Sequence, residues 1–289
     1  MSKAKSTFKY LIGRLLEILA PWIARDLDQD RHSGRFLRAK RWIFYARSVH
    51  ARARGDVDAL QKTLSDFWQA DAADAYFDQY SDRFAKWFLG PHHEIVDQLA
   101  VLCRSNDYSR LIEVGCGEGK VLEHCAAAMP AVQDFIGVDI NPTIIARDKE
   151  SFAQNSRLQF LTADAPIWLQ ENAQPGTILM TYGGVMEYFS AATLTTMFTN
   201  LAQHGRAAIA LVEPVDPNHD LVHDAASHAF GQESSFSHNY EKLLLGAGYK
   251  IIFHKHLNFG GVSWVMILAT TVLPNATTVI STMAKIASF

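Results

Sequence analysis

Residues 110–125, RLIEVGCGEGKVLEHC, constrain the fold more than any other stretch of the chain. A short apolar run turns through three glycines at spacing two, Gly115, Gly117 and Gly119, and then enters a helical pattern. Glycine lets backbone and ligand approach where any Cβ would collide. A strand that turns through glycines into a helix sets a nucleotide-sized ligand at the carboxyl edge of a parallel sheet. A dinucleotide-binding loop reads G-x-G-x-x-G/A; here position 120 is Lys, the spacing is G-x-G-x-G, and an acid, Glu113, stands just before it.

The texture of the chain from residue 108 onward agrees with that unit. Short apolar runs alternate with amphipathic stretches, as βαβ units and a mainly parallel sheet require. Strands are expected near 110–115, 134–138, 157–161, 177–182, 207–212, 249–255 and 263–270, and helices near 119–129, 142–154, 190–204 and 238–247. The last two strands are joined by HLNFGG, residues 256–261, too short for a crossover helix, so they pair as an antiparallel hairpin. The expected fold class is therefore α/β: a doubly wound, mainly parallel seven-stranded sheet with an antiparallel last strand, preceded by a helical N-terminal region. The boundaries fall at 1–105 for the helical region, 106–271 for the ligand-binding domain and 272–289 for a tail whose mixed apolar sequence around Pro274 carries no readable pattern.

The E-V-G-C-G-E-G segment, residues 113–119, resembles the first motif of the class I S-adenosylmethionine-dependent methyltransferase family, and the likeness extends over about residues 108–270. It implies a Rossmann-like methyltransferase fold with S-adenosyl-L-methionine as cofactor. By resemblance Glu113 bonds the cofactor's amino group, Gly115 and Gly117 line its methionine portion, and Cys116 and Gly119 complete the loop. A second acid, Asp139 in IGVDIN, follows 20 residues after Gly119, where a carboxylate beside Ile140 accepts both ribose hydroxyls. The competing role, capping the helix that begins at Pro142, suits Asn141 better. In LQFLTADAPIW (158–168), Asp164 and Ala165 match the positions at which the family holds adenine. The alternative there is a loop carboxylate facing water.

The fourth strand ends in TYGGVMEYF, where family members position methyl group and acceptor; Tyr182, Gly183, Gly184, Met186, Glu187 and Tyr188 are the expected lining. The family often carries an acid or polar residue followed by His at this point, and this chain has Glu187 followed by Tyr188. It also lacks the N-P-P-Y tetrapeptide of many DNA and protein-amide methylases. Further candidates for a base lie in VEPVDPNHDLVHDAASHAF (212–230), where His219 and His223, four apart, are able to share a helical face, with Asp224 and His228 near. No H-E-x-x-H pattern is present and no metal is assigned. Tyr76 and Tyr80 are able to reach the pocket from the helical region; His92, His93 and His238 read better as capping or surface residues.

Charge separates the two ends of the chain. Residues 1–55 hold thirteen Lys/Arg against four Asp/Glu, a net +9, and the remaining 234 residues are −12, from 14 basic and 26 acidic side chains. A basic head points to an anionic surface, lipid or nucleic acid, or is merely solvated. In YLIGRLLEILAPWIA (10–24), Leu11, Leu15, Ile18 and Trp22 form one apolar line and Ile12, Leu16, Leu19 and Ile23 a second, with Lys9, Gly13 and Glu17 opposite. Two readings stand: an interfacial helix on a membrane, through residues 1–25, or a helix packed on the catalytic domain or on a second subunit of a homodimer. Arg14, Glu17 and Pro21 interrupt the stretch, so neither a bilayer span nor a signal peptide is expected. Three cysteines without C-x-x-C spacing fit a reducing compartment and a cytoplasmic enzyme, peripheral to the membrane under the first reading. The favoured function is methyl transfer to a small molecule or a lipid- or sugar-linked intermediate. The alternatives are an RNA methyltransferase using the basic arm, and a noncatalytic cofactor-binding scaffold.

Overall fold

The computed structural model describes residues 3–28, 36–69, 82, 84–231 and 233–272. The chain opens with helices α1 (Lys3–Leu19), α2 (Pro21–Asp28), α3 (Leu37–Arg54) and α4 (Val57–Gln69), a π-helical turn at Phe84–Phe88, and α5 (Glu94–Ser105). Pro21 starts α2 because the first helical position needs no N–H. Gly55, at φ 65°, ends α3 and returns its N–H to the carbonyls of Ala51 and Arg52.

α1 packs on α3 through its polar and small face, the reverse of what amphipathicity predicts. A Cβ on Gly13 would strike the Trp42 carbonyl, so the two backbones touch there. Glu17 is bonded on that side to Arg14 (2.7 Å) and Arg47 (2.9 Å). The small core of this region gathers Ala20, Ile23, Ala24 and Leu27 around Ile43. Phe8, Leu11, Leu15, Ile18, Leu19 and Trp22 are left exposed. Among the described residues no helix is long and apolar enough to cross a membrane.

The remaining elements alternate: β1 (Arg110–Val114), α6 (Lys120–Ala128), β2 (Asp134–Asp139), α7 (Pro142–Ser151), β3 (Leu158–Thr162), α8 (Ala165–Asn172), β4 (Thr177–Tyr182), a 3₁₀ turn (Met186–Tyr188), α9 (Ala191–Gln203), β5 (Ala207–Val215), β6 (His228–Phe230), β7 (Ser235–Ser237), α10 (Tyr240–Gly246), β8 (Tyr249–Phe259) and β9 (Val262–Thr271). Seven strands form one sheet in the order β3-β2-β1-β4-β5-β9-β8, and β6 pairs only with β7. β1 to β5 are parallel, while β9 runs antiparallel between β5 and β8. This is the expected mixed sheet, six strands one way and the last reversed.

Both faces are covered. On one, Ile95, Leu99, Leu122 and Cys125 of α5 and α6 meet Leu111, Phe135, Met180 and Met266 of the strands. On the other, Leu169, Phe198, Leu201 and Leu244 of α8, α9 and α10 meet Ile112, Val138, Leu179 and Ile267. Every residue of β5 is buried, as a strand inside a doubly covered sheet must be. β8 and β9 run on to Phe259 and Val262, so their connection shrinks to Gly260–Gly261, both at positive φ, the tight hairpin turn that matches strand twist. Two elements go beyond the expectation. α8 is only eight residues long with Pro166 in its first turn, and the β6–β7 hairpin lies in a stretch that reads as loop.

Candidate functional site

The chain runs β1-β2-β3 outward on one side of β1 and then returns to lay β4 on the other. A crevice therefore opens at the carboxyl ends of β1 and β4, where ligands of such sheets bind. The cavity there is walled by the strand ends: Glu113 to Glu118 after β1, Asp139 and Ile140 after β2, Ala163 to Ala165 after β3, and Tyr182 to Val185 after β4. Lys120, Tyr188 and Phe189 also line it, and α4 and the π-helical turn close it with Gln61, Ser65, Trp68 and Phe84.

The glycine loop is shaped by backbone bonds and by its neighbours. Gly115 sits at φ 68°, with its N–H on the Val138 carbonyl (2.8 Å), and a Cβ there would strike Val185 across the cavity. Gly119 does not line the cavity; a Cβ on it would meet the rings of Phe152 and Phe160, so the third glycine serves the packing of α6. Asp139 holds the loop from beneath, accepting the Gly117 N–H (3.0 Å) through one oxygen and the Asn141 N–H (2.9 Å) through the other. The helix cap at α7 is Asn141, whose side chain accepts from Thr143 and Ile144. Asp164 both lines the cavity and caps α8, accepting from Ile167 (3.2 Å).

The electrostatics select the ligand's charge. Glu113 is buried, and its Oε2 has no hydrogen-bond partner. Burial, with the neighbouring charges of Asp148 and Asp139, pushes its pKa well above the usual carboxylate range. Asp139 is raised by burial against three backbone donors, and Asp148, buried on α7, is pushed up to about 8 by burial and by Asp139. Among the described residues Lys120 is the one cation on the lining, and it is bridged to Glu118 (2.8 Å). A pyrophosphate would face these carboxylates without a counter-charge. A ligand offering hydroxyls and a positive centre supplies what Glu113 and Asp139 lack.

The acceptor end is built on a residue that the sequence reading missed. Glu213, fully buried in β5, accepts from Thr181 Oγ1 (2.7 Å) and from the N–H groups of Val185 and Met186 (both 3.0 Å). It thereby fixes the loop that follows β4; its only sequence signal is an acid inside an apolar strand. Tyr182 and Tyr188 line the cavity, with Tyr188 donating to Glu233 (3.1 Å) and packing on Trp68. Glu187 is buried behind the lining, its carboxylate against Gly184. From α4, Gln61 accepts the Ser190 N–H (2.6 Å) and the Thr193 hydroxyl (3.0 Å), tying the helical region to the start of α9.

His219 and His223 are not on the cavity wall and share no helix. Asp216 and Asp220 accept the N–H groups of Asn218, Val222 and His223, and such turns replace a helical ladder. His219 is buried on Ser237 (2.9 Å), while His223 is exposed and bonded to Asp220. His92 is buried against Trp264 and Tyr182, and His93 begins α5. His238 donates to the Phe189 carbonyl, and burial lowers its pKa to about 4. Tyr76 and Tyr80 lie outside the described residues.

Residues 111–207 match the family model described as a methyltransferase domain. No curated protein matches the chain by sequence. Among solved structures, magnesium protoporphyrin IX methyltransferase from Synechocystis aligns at 15% identity and a TM-score of 0.51, over 73% of this chain and 97% of that one with S-adenosylmethionine bound, or 99% with S-adenosylhomocysteine bound. The N-methyltransferase NodS from Bradyrhizobium japonicum aligns at 13% identity over 62% of this chain and 96% of that one, with a TM-score of 0.46. The cavity fits S-adenosylmethionine: Glu113, with its orphan oxygen, would hold the cationic amino end, the space above Gly115 the methionine chain, Asp139 the ribose and Asp164 with Ala165 the adenine. The region that matches a methyltransferase domain begins at the strand that carries Glu113 and ends at the first residue of β5, and the fold built around it is the one seen in the S-adenosylmethionine-bound structure.

Proposed function

We propose that the enzyme methylates a small molecule or a lipid- or sugar-linked intermediate, and that α1 and α2 seat it on an anionic bilayer. The observation that carries the reading is the outward-facing apolar stripe of Phe8, Leu11, Leu15, Ile18 and Trp22 at the head of residues 1–55, which together carry a net charge of +9. Burying one large apolar side chain stabilises by about 1.5–3 kcal/mol. Each Lys or Arg near an anionic surface adds about 1 kcal/mol. A homodimer through the same stripe would bury the apolar residues and leave the basic charge unmatched.

The acceptor wall supports the same class. Trp68, Phe84, Tyr182, Tyr188 and Phe189 face the cavity with Gln61 and Ser65, and Lys120, the one cation among the described lining residues, is paired with Glu118. Among the described residues of that wall a phosphodiester backbone finds no free counter-charge, which disfavours an RNA acceptor. When bound, S-adenosylmethionine supplies an activated methyl group on a sulfonium. The chain's own contribution is alignment: the loop held by Glu213 fixes the acceptor in line and excludes water, an effect on the order of 7 kcal/mol in favourable intramolecular models. Tyr188, on the wall and braced by Glu233, is the group we assign to the acceptor's proton, while Glu187 supports the Gly184 turn from behind the lining.

The test is a screen of host extracts with radiolabelled cofactor, partitioned between water and organic solvent, together with flotation on vesicles of phosphatidylglycerol and phosphatidylcholine. Label in a small organic-phase or glycosylated product, and flotation on anionic vesicles reduced at least about tenfold by Leu15→Glu with Ile18→Glu, are expected. Label in RNA, or vesicle binding untouched by the substitutions, contradicts the proposal. A dimer in sedimentation that the same substitutions dissociate also contradicts the membrane assignment.

A further inference from the structure

Behind the cavity wall, the chain from the end of β5 to the first residue of β6 gathers His219, Asp224 and His228, with one ligating atom of each within 4.8 Å of the others. The turns at Asp216 and Asp220 fold this stretch back on itself and supply the convergence that linear spacing leaves open. The His219 side chain has no solvent exposure, and its Nε2 is buried without a hydrogen-bond partner, 4.0 Å from Asp224 Oδ2. Leaving such an atom unsatisfied costs about 1–3 kcal/mol. The His228 ring lies 4.6 Å from the His219 ring, centroid to centroid, and its Nε2 is 3.4 Å from Asp216 Oδ2.

We propose that His219, Asp224 and His228 bind one divalent transition-metal ion of the zinc class, as a structural staple for the loop that backs the methyl-transfer site. Two imidazoles and a carboxylate suit zinc, cobalt or nickel rather than magnesium, which keeps oxygen ligands. The outer groups are in place: when His219 donates its Nδ1–H to Ser237 Oγ (2.9 Å), Nε2 presents a lone pair, and Asp216 stands beside His228 as the carboxylate that orients a metal-binding ring. Zinc bonds of about 2.0–2.2 Å hold tetrahedral donors roughly 3.4 Å apart, so the three donors, within 4.8 Å of one another, close by up to about 1.4 Å and a water fills the fourth position. His219 is fixed by burial; Asp224 is exposed and His228 partly so, and these are the side chains free to swing in.

The consequence reaches the active site through packing. His228 pairs with Ser237 across the β6–β7 hairpin, and the next residue, Phe236, packs with Ala51, Leu60 and Leu64 beside the cavity-lining Tyr188. An ion at 219–228 ties the loop to the hairpin that supports this wall. It has no role in the methyl transfer itself.

The experiment uses full-length protein freed of any purification tag and of metal, titrated with Zn²⁺ against a chromophoric chelator, and with Co²⁺ followed by visible absorption. One Zn²⁺ per chain, a tetrahedral Co²⁺ spectrum and no response to Mg²⁺ are expected. Asp224→Ala and His228→Gln, changes at the two accessible ligands, weaken Zn²⁺ binding by at least about tenfold to 100-fold. His223→Ala, on the same loop outside the group, leaves it unchanged. Absence of saturable Zn²⁺ uptake by the wild type, or uptake indifferent to both ligand substitutions, overturns the proposal. S-adenosylhomocysteine affinity, measured alongside, reports separately on the cofactor site.

Discussion

Asp139→Ala is expected to weaken S-adenosylhomocysteine binding at least about tenfold by calorimetry while the protein stays folded. A hydrogen bond to a charged acceptor is worth about 1.5–3 kcal/mol net, and tenfold needs only about 1.4 kcal/mol, so loss of one ribose contact suffices. The structure adds a second route to the same loss. Asp139 accepts the N–H of Gly117 and of Asn141, one through each oxygen, so its removal also releases the loop that cradles the ligand. The isosteric change Asp139→Asn is expected to be nearly as damaging, because an amide nitrogen on either side meets an N–H that needs an acceptor. Affinity unchanged in both variants contradicts the assignment of this carboxylate.

Glu213→Ala is expected to produce the largest loss of stability, about 3–5 kcal/mol, with collapse of methyl transfer. The side chain is fully buried and satisfies two backbone N–H groups and one hydroxyl. An unsatisfied buried group costs about 1–3 kcal/mol, against a total stability of only about 5–15 kcal/mol for a domain. Glu213→Gln retains an acceptor for the two N–H groups and is expected to recover most of the fold.

The same residue gives a pH signature. Burial pushes the Glu213 pKa up to about 7 from an ordinary value near 4.5, so the native state holds the proton more tightly than the unfolded chain. That contribution to stability is complete below about pH 4.5 and is lost as pH rises through about 7; Asp148, raised to about 8, acts in the same sense. His238 acts oppositely, its contribution being lost as pH falls from about 6.5 through about 4. Above pH 6.5 the acids alone remain of these three, and the melting temperature of the cofactor-free enzyme is expected to fall toward pH 8.5. Glu213→Gln should flatten that slope in a thermal scan across the range; an identical slope in the variant contradicts it.

The sheet was legible because its strands are buried on both faces and so appear as apolar runs, and because the glycine loop has few other uses. α8 was not, since eight residues behind a proline leave too little periodicity to register. Nor was the orientation of α1: amphipathic pattern tells which face is apolar, and only Gly13 against Trp42 tells which face meets a neighbour. In the site, carboxylates at strand ends could be read along the chain, whereas Glu213 and Asp148 act from a strand interior and a helix, where an acid has no local signature. The histidines were seen as a group but with the wrong pairing; three-dimensional turns join His219 to His228 and send His223 to solvent.

The central physical claim is that a cavity rimmed by carboxylates accepts an adenosyl ligand with a cationic amino end and rejects a pyrophosphate. Equilibrium calorimetry of the purified chain with S-adenosylhomocysteine and, separately, with a nicotinamide dinucleotide tests it most directly. Saturable binding of the first at one site per chain, with no heat from the second, is the predicted result. Saturable binding of the dinucleotide with none of S-adenosylhomocysteine would contradict the account.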